Sequence, residues 1–522
     1  MEDNTMIGMN DTEYDEFVAG SAGETIKRLD SMHKIDIREF LDNFDLQFFG
    51  GKGDAPFFVT TDNRGVERVN RGLLAAYCRQ NLAYVIIKEL DGTAFKYVYD
   101  GGVYKLCSDE TFLGYIKQFV MAYKDSLVKM NDISDAAKQI SSDLNFTAMD
   151  AMNSDEDRIN LLNGILNIRT LKLERHKMTF LSTIQLPVKW TEEDIQTPVF
   201  DRFMNDLTSG NEAVKDLILQ YIGAILSNVR SRRFKKALFL YGKGNTGKSQ
   251  LRNLVEMILG GKNCTSISLK QLETQFGAFG LYGKRLAGSA DLKDREVADM
   301  GTFKEVTGGD VIHTDVKYHT GIDFRFNGFL WFCMNCLPSF GGDQGEWVYE
   351  RIMPVECSNV IPKEKQDKYI LDKMYEERDG IFRKAILAFR EIYLGSCEFT
   401  EPEEVAGWRR KFRRENDNVR LFWDLCMEER TNYVSNDPLT IKKIHDAYRA
   451  FCHEQTIDPL TAGNFREAVA NMLGSTKTEM VTRGDEGYKY KKYQLRPECE
   501  YLLKEPLAGN GDPYFSKTTK KN

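Results

Sequence analysis

A strand, a glycine-rich loop and a helix follow one another without a break near the middle of the chain, and they constrain the fold more than any other stretch. Residues 237–241 form an apolar run with the length of a buried strand. Residues 251–259 have a helical pattern that ends at Gly260 and Gly261. The eight residues that follow the strand are Gly242-Lys243-Gly244-Asn245-Thr246-Gly247-Lys248-Ser249. They match G-x-x-x-x-G-K-[ST], so the stretch predicts a phosphate-binding loop in an α/β fold.

The residue types of this loop indicate which nucleotide it takes. Its glycines allow backbone N–H groups to surround a polyphosphate, Lys248 faces the β and γ oxygens, and the Ser249 hydroxyl suits Mg²⁺. The same residues also fit G-x-G-x-x-G, the dinucleotide fingerprint. The Lys-Ser pair after the third glycine favours a nucleoside triphosphate. We therefore expect ATP with Mg²⁺ as the ligand of this loop.

Composition excludes several other classes of protein. The chain has 522 residues, 42% of them apolar and 29% charged, which is typical of a soluble protein with several domains. No apolar run approaches membrane-spanning length, and the N-terminus lacks a signal pattern, so we expect a cytoplasmic protein without a membrane partner. The net charge of −7 argues against a uniformly basic nucleic-acid binder but permits a local basic channel.

Two further kinds of site have weak support. Cys333 and Cys336 are the one close pair among ten cysteines, and a structural zinc site needs four ligands, so we expect reduced core thiols and keep a metal site as the alternative. A primase would need an Asp-x-Asp on a strand with a nearby His. Asp155 and Asp157 stand in a polar run that is more typical of a turn. The sequence therefore does not support primase activity.

Downstream of the loop, strands and helices alternate, two strands end in polar residues and one hairpin has a polar tip. A predicted strand over residues 285–290 ends at Asp291, where a second Mg²⁺ ligand and a water-activating group are needed. A buried strand over residues 328–334 ends at Asn335. Between them, residues 311–326 read as a hairpin whose polar tip includes Lys317, Tyr318 and His319.

These residues carry a family resemblance. Residues 239–355 resemble the motor of superfamily 3 helicases, in the group of phage and plasmid primase-helicases and the poxvirus-type replicative helicase. The specific stretches are 281–286 leading to Asp291, and Lys304-Glu305-Val306-Thr307-Gly308-Gly309-Asp310. Asn335 resembles the polar sensor, and Arg351 resembles the arginine finger that reaches a neighbour's nucleotide. The group commonly has Glu where this chain has Asp291, so Asp294 or Glu296 could share the role of the base.

The resemblance implies an activity and partners. It implies an AAA+ type ATP-dependent DNA helicase that replicates a phage, plasmid or other mobile element in a bacterial cytoplasm. It further implies a homo-oligomeric ring, expected to be a hexamer, that travels 3′ to 5′ on single-stranded DNA, and a separate primase or polymerase. Lys317 and His319 resemble the pore hairpin that grips DNA. A basic cluster at residues 230–236 is a second candidate for that contact.

We predict an α/β fold in which the motor lies between an N-terminal α+β region and a C-terminal winged-helix-like domain. Helical patterns followed by the aromatic–lysine alternation of residues 488–493 indicate the latter, a reader of origin DNA; a helical packing domain is the alternative. The predicted parts are an acidic flexible tail (1–28), an α+β domain (29–115), a helical and β-hairpin region (116–226), the motor (227–398), the winged-helix-like domain (399–505) and a disordered tail (506–522).

Two rival functions stay open on the sequence. One is an origin-binding initiator whose ATP site is a switch for assembly without processive unwinding. The other is a packaging or transposition ATPase. Strand displacement separates both from a helicase better than ATP hydrolysis alone.

Overall fold

The computed structural model describes residues 11–30, 34–42, 55–88, 94–143, 146–274, 276–293, 296–297, 300–316, 319–340, 345–416, 418–430, 439–455, 459–474, 481–484 and 487–503. The predicted tail 506–522 lies outside these residues. The chain divides into two compact units. The first comprises Met1–Arg295, Met300–Leu337 and Glu350–Val405, and the second comprises Glu296–Asp299, Pro338–Tyr349 and Ala406–Asn522. The domain boundaries drawn from the sequence stay predictions.

The N-terminal part of the first unit mixes helices with short antiparallel strands. Its elements are α1 (Asp11–Asp30), α2 (Ile37–Asp42), β1 (Val59–Thr61), β2 (Glu67–Val69), α3 (Arg71–Asn81), β3 (Tyr84–Lys88), β4 (Ala94–Tyr99), β5 (Tyr104–Cys107), α4 (Asp109–Tyr123), α5 (Met130–Ser141), β6 (Arg158–Leu161), β7 (Gly164–Asn167) and β8 (Leu173–Glu174). Strands β3, β4 and β5 form one sheet, and β6, β7 and β8 form another.

The sheet of β3, β4 and β5 is covered on both faces. Alternate residues of a strand point to opposite faces. Tyr84 and Ile86 belong to the apolar cluster formed with α3, α4 and α5, whereas Val85 and Ile87 belong to a second cluster that includes Leu29 of α1. The sequence favours two strands here, over residues 82–88 and 94–100, joined by an Asp91-Gly92 turn. β3 and β4 lie within these two ranges, β5 was not predicted, and the turn lies outside the described residues.

The structure corrects the expectation of a flexible tail over residues 1–28, because residues 11–28 belong to helix α1. Tyr14, Val18 and Leu29 are buried on one side of this helix. Their spacing of four residues, and then eleven, places them on one helical face. The acidic composition of the segment concealed this apolar stripe, since the acidic side chains occupy the solvent face and the first turn.

The motor region continues the first unit. Its elements are α6 (Pro198–Leu207), α7 (Glu212–Leu226), β9 (Ala237–Tyr241), α8 (Lys248–Leu259), β10 (Cys264–Ser266), α9 (Leu269–Leu272), β11 (Leu286–Gly288), β12 (Glu296–Val297), α10 (Gly301–Gly308), β13 (Val311–Val316), β14 (His319–Arg325), β15 (Phe329–Met334), β16 (Ser339–Phe340), α11 (Gly345–Arg351), β17 (Ile352–Glu356), α12 (Ile370–Glu376) and α13 (Arg378–Leu394). Of these, β12, β16 and residues 345–349 of α11 are grouped with the second unit.

Five of these strands form a parallel sheet in the order β10-β11-β15-β9-β17. All six residues of β15 are buried, as expected for a central strand of a parallel sheet that is covered on both faces. In parallel strands the carboxyl ends lie at one edge of the sheet. The loops that follow β9, β11 and β15 therefore meet at the same edge, which is where α/β sheets bind ligands. This parallel sheet confirms the α/β fold class that was predicted from the sequence.

The second unit contains the C-terminal elements around their own apolar core. These are α14 (Glu403–Asn416), which begins in the first unit, α15 (Asn418–Cys426), β18 (Met427–Glu429), α16 (Ile441–Glu454), α17 (Ala462–Met472), β19 (Val481–Gly484), β20 (Gly487–Tyr490) and β21 (Tyr493–Leu495). Strands β19 and β20 form an antiparallel pair, and β21 pairs with β18. Phe422, Tyr448 and Phe465 are fully buried in the core. Helices α15, α16 and α17 are present, and strands lie at the residues predicted for a wing. The winged-helix fold itself stays a prediction.

Among the residues that the structure describes, no helix is both long enough and apolar enough to cross a bilayer.

Candidate nucleotide site

The glycine-rich loop runs from the end of β9 to the start of α8, as the sequence predicted. Gly242 has φ +137°, and a Cβ at this position would lie 2.2 Å from the carbonyl oxygen of Cys357. Gly247 has φ +97°, and a Cβ there would lie 2.9 Å from the Phe203 ring. Both positions therefore require glycine, because a side chain would be strained and would also collide with a neighbour.

Lys248 is the first residue of α8 and only 6% exposed. Its Nζ donates to the carbonyl oxygens of Gly242 and Lys243, each at 2.8 Å, and to Oγ1 of Thr246 at 3.0 Å. Burial lowers the pKa of Lys248. The ammonium thus lies inside the loop with oxygen acceptors, and no carboxylate of the described residues is bonded to it. In this arrangement an anion at the loop would stabilise the charge.

Ser249 connects this loop to the strand that ends before Asp291. Its Oγ donates to the carbonyl oxygen of Ala290 at 2.7 Å. Asp291 is exposed, and its carboxylate lies 3.8 Å from the Nζ of Lys293. The structure therefore brings the Ser249 hydroxyl and the loop that carries Asp291 together, although β15 lies between β9 and β11.

Asn335 follows β15 directly and is exposed at the same edge of the sheet. Met334 pairs with Tyr241 at the end of β9 and also bridges to Leu292, one residue after Asp291. Asn335 is thus placed between the glycine-rich loop and the Asp291 loop. Three of the four predicted catalytic residues, Lys248, Asp291 and Asn335, therefore share one edge.

Arg351 lies at the opposite edge of the sheet. It precedes β17, whose first residue Ile352 pairs with Ala237 at the start of β9. The glycine-rich loop begins five residues later, about 16 Å along the strand at 3.3 Å per residue. Nη1 of Arg351 donates to the carbonyl oxygen of Lys304 and to Oγ1 of Thr307, each at 2.8 Å. Burial lowers the pKa of Arg351. In its own chain, Arg351 stabilises the C-terminal end of α10 and does not contribute to the loop.

The predicted DNA-gripping residues are only partly described. Lys317 lies outside the described residues, and His319 is placed only by its backbone, opposite Val316 in the hairpin of β13 and β14. At the base of the hairpin, Nδ1 of His313 lies 2.6 Å from Oδ1 of Asp323, its cross-strand partner.

The weaker candidates are engaged in contacts within the chain. Asp155 pairs with Arg158 at 2.8 Å, and Asp157 accepts from Arg169 and from Tyr393. Cys336 is exposed and Cys333 is buried, and the described part of the chain holds no group of three His, Cys, Asp or Glu side chains suited to a metal ion.

The basic cluster at residues 230–236 is also engaged. Arg230 and Arg233 lie 3.6 and 2.6 Å from the Glu156 carboxylate, and Arg232 lies 3.5 Å from the Asp15 carboxylate. These contacts favour a structural role for the cluster.

Sequence reasoning missed two buried arginines. Arg252, 2% exposed, donates from α8 to the carbonyl oxygens of Trp331 and Gly288 and pairs with Glu256, so it fixes the helix that carries Lys248 against β15 and β11. Arg285 donates to the carbonyl oxygens of Ala224 and Ile225 at the C-terminal end of α7. For Arg252, the sequence did contain a signal, which is its position on the helix. Lys248, Arg252, Val255 and Leu259 lie at spacings of four, three and four residues and therefore on one face of α8.

Two protein-family models match separate parts of the chain. Residues 72–209 match a family described as "D5 N terminal like", and residues 240–351 match a family of unknown function, DUF5906. The second match runs from β9 to Arg351 and so contains every residue of the predicted nucleotide site.

Solved structures similar to this chain include three of the NrS-1 C-terminal region. The A form apo structure has 11% sequence identity and a TM-score of 0.42, and covers 79% of this chain and 96% of that chain. The A form apo structure of residues 305–718 and the apo structure of the same residues have 12% identity and TM-scores of 0.37 and 0.39, with the same coverage.

Proposed function

We propose that this chain is an ATP-dependent DNA helicase with an AAA+ motor of the superfamily 3 type. The match of residues 72–209 to the D5 N terminal like family supports a primase-helicase-type replication protein, the group that the motor motifs resemble. The observation that carries the proposal is the arrangement of the parallel sheet. It gathers the glycine-rich loop, Asp291 and Asn335 at one edge and leaves Arg351 at the other.

ATP would bind in the glycine-rich loop. The backbone N–H groups of residues 242–249 would surround the phosphates, and Lys248 would neutralise the β and γ oxygens. The Lys248 Nζ already lies among the loop carbonyl oxygens, so it needs only to exchange acceptors when a phosphate arrives.

Ser249 and Asp291 fit a Mg²⁺ site, because hydroxyl, carboxylate and water oxygens are the ligands that this cation prefers. The hydrogen bond from Ser249 to Ala290 brings the two loops together. When bound, Mg²⁺ would neutralise charge that develops on the phosphates. The Asp291 carboxylate would orient and polarise the attacking water, and the Asn335 amide would contact the γ-phosphate.

Arg351 would act on the nucleotide of a neighbouring copy of this chain. Its position supports a role between subunits, because Ile352, the residue after Arg351, pairs with the start of β9, about 16 Å along that strand from the beginning of the loop. A ring would place this edge of one subunit against the loop edge of the next. A hexamer is the assembly that the resemblance implies.

The proposed partners are single-stranded DNA, held by Lys317 and His319 of the predicted hairpin, and origin DNA, read by the winged-helix-like domain. A separate primase or polymerase would act on the unwound strands, and travel would be 3′ to 5′.

ATP hydrolysis stimulated by single-stranded DNA tests the proposal. The wild type should hydrolyse Mg²⁺-ATP faster when oligo(dT) is added. Lys248→Ala should abolish both rates, whereas Lys172→Ala, a change at an exposed lysine of the β7–β8 turn, should not change either. Equal hydrolysis by wild type and Lys248→Ala would refute the motor.

A further inference from the structure

A cleft of about 310 Å³ lies within the first unit, on the side of the sheet away from the glycine-rich loop. Four of its lining residues come shortly before the parallel strands: Arg230 before β9, Asn263 before β10, Arg285 before β11 and Asn327 before β15. The amino ends of these strands therefore form one wall. Residues of the N-terminal region, among them Tyr97 and Asp150, form the other. The cleft is thus separate from the proposed ATP site.

The charges around this cleft are mostly positive. Five cationic residues line it: Arg230, Lys262, Lys284, Arg285 and Arg325. Asp150 is the one acidic residue among the lining residues, and its Oδ2 accepts a 2.7 Å hydrogen bond from the hydroxyl of Tyr14. Burial raises the pKa of Asp150, which reduces the negative charge that this residue contributes to the lining.

Arg230 pairs with Glu156, and Arg325 pairs with Asp11 and Asp15. Among the described residues, the other three cations have only backbone acceptors. Lys284 donates to the carbonyl oxygen of Lys262 at 2.6 Å, and Lys262 donates to that of Thr183 at 3.4 Å. Within the described residues, neither lysine pairs with a carboxylate. Arg285 is 6% exposed and donates only to backbone carbonyl oxygens.

Two buried polar atoms of the lining residues lack any hydrogen-bond partner among the described residues. They are Nε of Arg325 and Oδ1 of Asn327. An unsatisfied buried donor or acceptor costs about 1–3 kcal/mol, and such a group in a native fold calls for an explanation. A ligand that reorganises these side chains would supply one.

The lining also offers flat apolar surface beside the charge. Tyr97, Tyr282 and Leu106 line the cleft with the cations, and Leu106 is exposed. Cations for phosphate, amide side chains for hydrogen bonding and aromatic rings for a base are the groups that bind nucleotides. The volume falls at the lower end of the range for small-molecule sites.

We propose that this cleft binds a nucleotide through its phosphate, as a second phosphate site besides the glycine-rich loop. The nucleotide is either free or one residue of a single strand, since both present the same phosphate, sugar and base. The proposal does not depend on ATP hydrolysis, because its residues lie at the other edge of the sheet.

Binding of two probes to the full chain tests the proposal, in EDTA and without ATP so that Mg²⁺-dependent binding at the glycine-rich loop is suppressed. The probes are fluorescein-labelled dT₄, followed by anisotropy, and dTMP, followed by calorimetry. The test variant is Lys262→Ala/Lys284→Ala. The control is Lys172→Ala/Lys189→Ala, which removes the same charge from exposed positions outside the cleft. Thermal melting checks that both are folded.

We expect at least one probe to bind the wild type and the control, and to bind the test variant about tenfold more weakly, as loss of charge-assisted contacts predicts. For dT₄, the slope of log K against log salt should fall by about 0.7 for each lost phosphate contact. Weakened dTMP binding identifies a free nucleotide as a ligand, and weakening of dT₄ alone identifies a strand. Equal binding by test and control variants, or no binding of either probe to the wild type at millimolar concentration, would overturn the proposal. Neither result would affect the ATPase assay of the proposed function.

Discussion

The Oγ atom of Ser249 donates a 2.7 Å hydrogen bond to the carbonyl oxygen of Ala290, and so joins the end of the glycine-rich loop to the residue before Asp291. Strand β9 precedes the glycine-rich loop and β11 precedes Ala290, and these two strands are not neighbours, because β15 lies between them. Asn335 follows β15 and therefore lies between the two loops. This contact joins two of the three segments of the candidate site, and β15 places the third between them.

Asp291 should supply the carboxylate of this site. Asp291→Asn keeps the size of the side chain and removes its charge, so hydrolysis should fall by about 10²–10⁴-fold, the usual contribution of a general base. Asp291→Glu restores the residue that the related group commonly has, and should retain measurable activity. Steady-state ATPase assays compare the two. Equal activity of Asp291→Asn and wild type would move the role to another acid, such as Asp294 or Glu296.

Arg351 should act between subunits. Arg351→Ala and Lys248→Ala should each be inactive alone, since arginine fingers contribute about 10³–10⁵ in rate. Mixed after subunit exchange, they should partly recover hydrolysis, because some interfaces then combine an intact loop with an intact arginine.

The variant Arg351→Lys separates the proposed role of Arg351 between subunits from its stabilisation of the C-terminal end of α10. Arg351→Lys keeps a cation for the carbonyl oxygen of Lys304, so its thermal stability should match wild type. Its hydrolysis should still be low, because lysine does not reproduce the planar guanidinium. Absence of recovery in mixtures whose subunits demonstrably exchange would contradict a role in trans.

Lys317, at the predicted hairpin tip, should contact DNA phosphate. Lys317→Ala should retain basal ATPase and assembly and lose DNA stimulation. The slope of log K against log salt for single-strand binding should become shallower, by the amount expected for the loss of about one phosphate contact per subunit. Lys172→Ala serves as the charge-matched control. Undiminished DNA stimulation in Lys317→Ala would remove the hairpin tip from the DNA path.

The buried Asp150 makes stability depend on pH in a defined direction. Burial raises the pKa of Asp150 despite the hydrogen bond from Tyr14 and the nearby charges of Arg230 and Arg325. Between the ordinary value of about 3.9 and the raised value, the folded state binds more protons than the unfolded state. Stability contributed by this group is therefore lost as pH rises through that interval.

Asp150→Asn removes the titration. The stability of wild type relative to Asp150→Asn should decrease as pH rises from about 4 and then level off above the folded-state pKa. Urea unfolding midpoints measured from about pH 4 to pH 8 give this difference. A difference that stays constant, or that grows with pH, would contradict the raised pKa.

The sequence predicted the strand, loop and helix of the candidate nucleotide site better than it predicted their surroundings, for a physical reason. The strand, loop and helix around Lys248 form a local pattern, and so do the strands that end at Asp291 and Asn335. Once these strands pair in parallel, their carboxyl ends lie at the same edge of the sheet, so the local patterns are enough to predict that these residues lie close together. The position of Arg351 at the other edge depends on the register of β17 with β9, which no local pattern encodes.

Other features were hidden by composition or depend on distant contacts. Helix α1 looked like a tail because residues 1–24 contain seven acidic residues and no basic one, yet Tyr14, Val18 and Leu29 follow helical spacing. Arg252 and Arg285 are buried through carbonyl acceptors from distant segments. The basic cleft is built from the amino ends of four strands and a second region of the chain, so it could be found only in the folded structure.

Strand displacement from a forked DNA duplex tests the central claim most directly. The account predicts that the wild type releases the labelled strand with Mg²⁺-ATP and not with a non-hydrolysable analogue, and that Lys248→Ala releases none under the same conditions. ATP hydrolysis without strand release would contradict the helicase and favour an ATP switch for assembly at an origin. Release that persists in Lys248→Ala would contradict the ATP-driven motor itself.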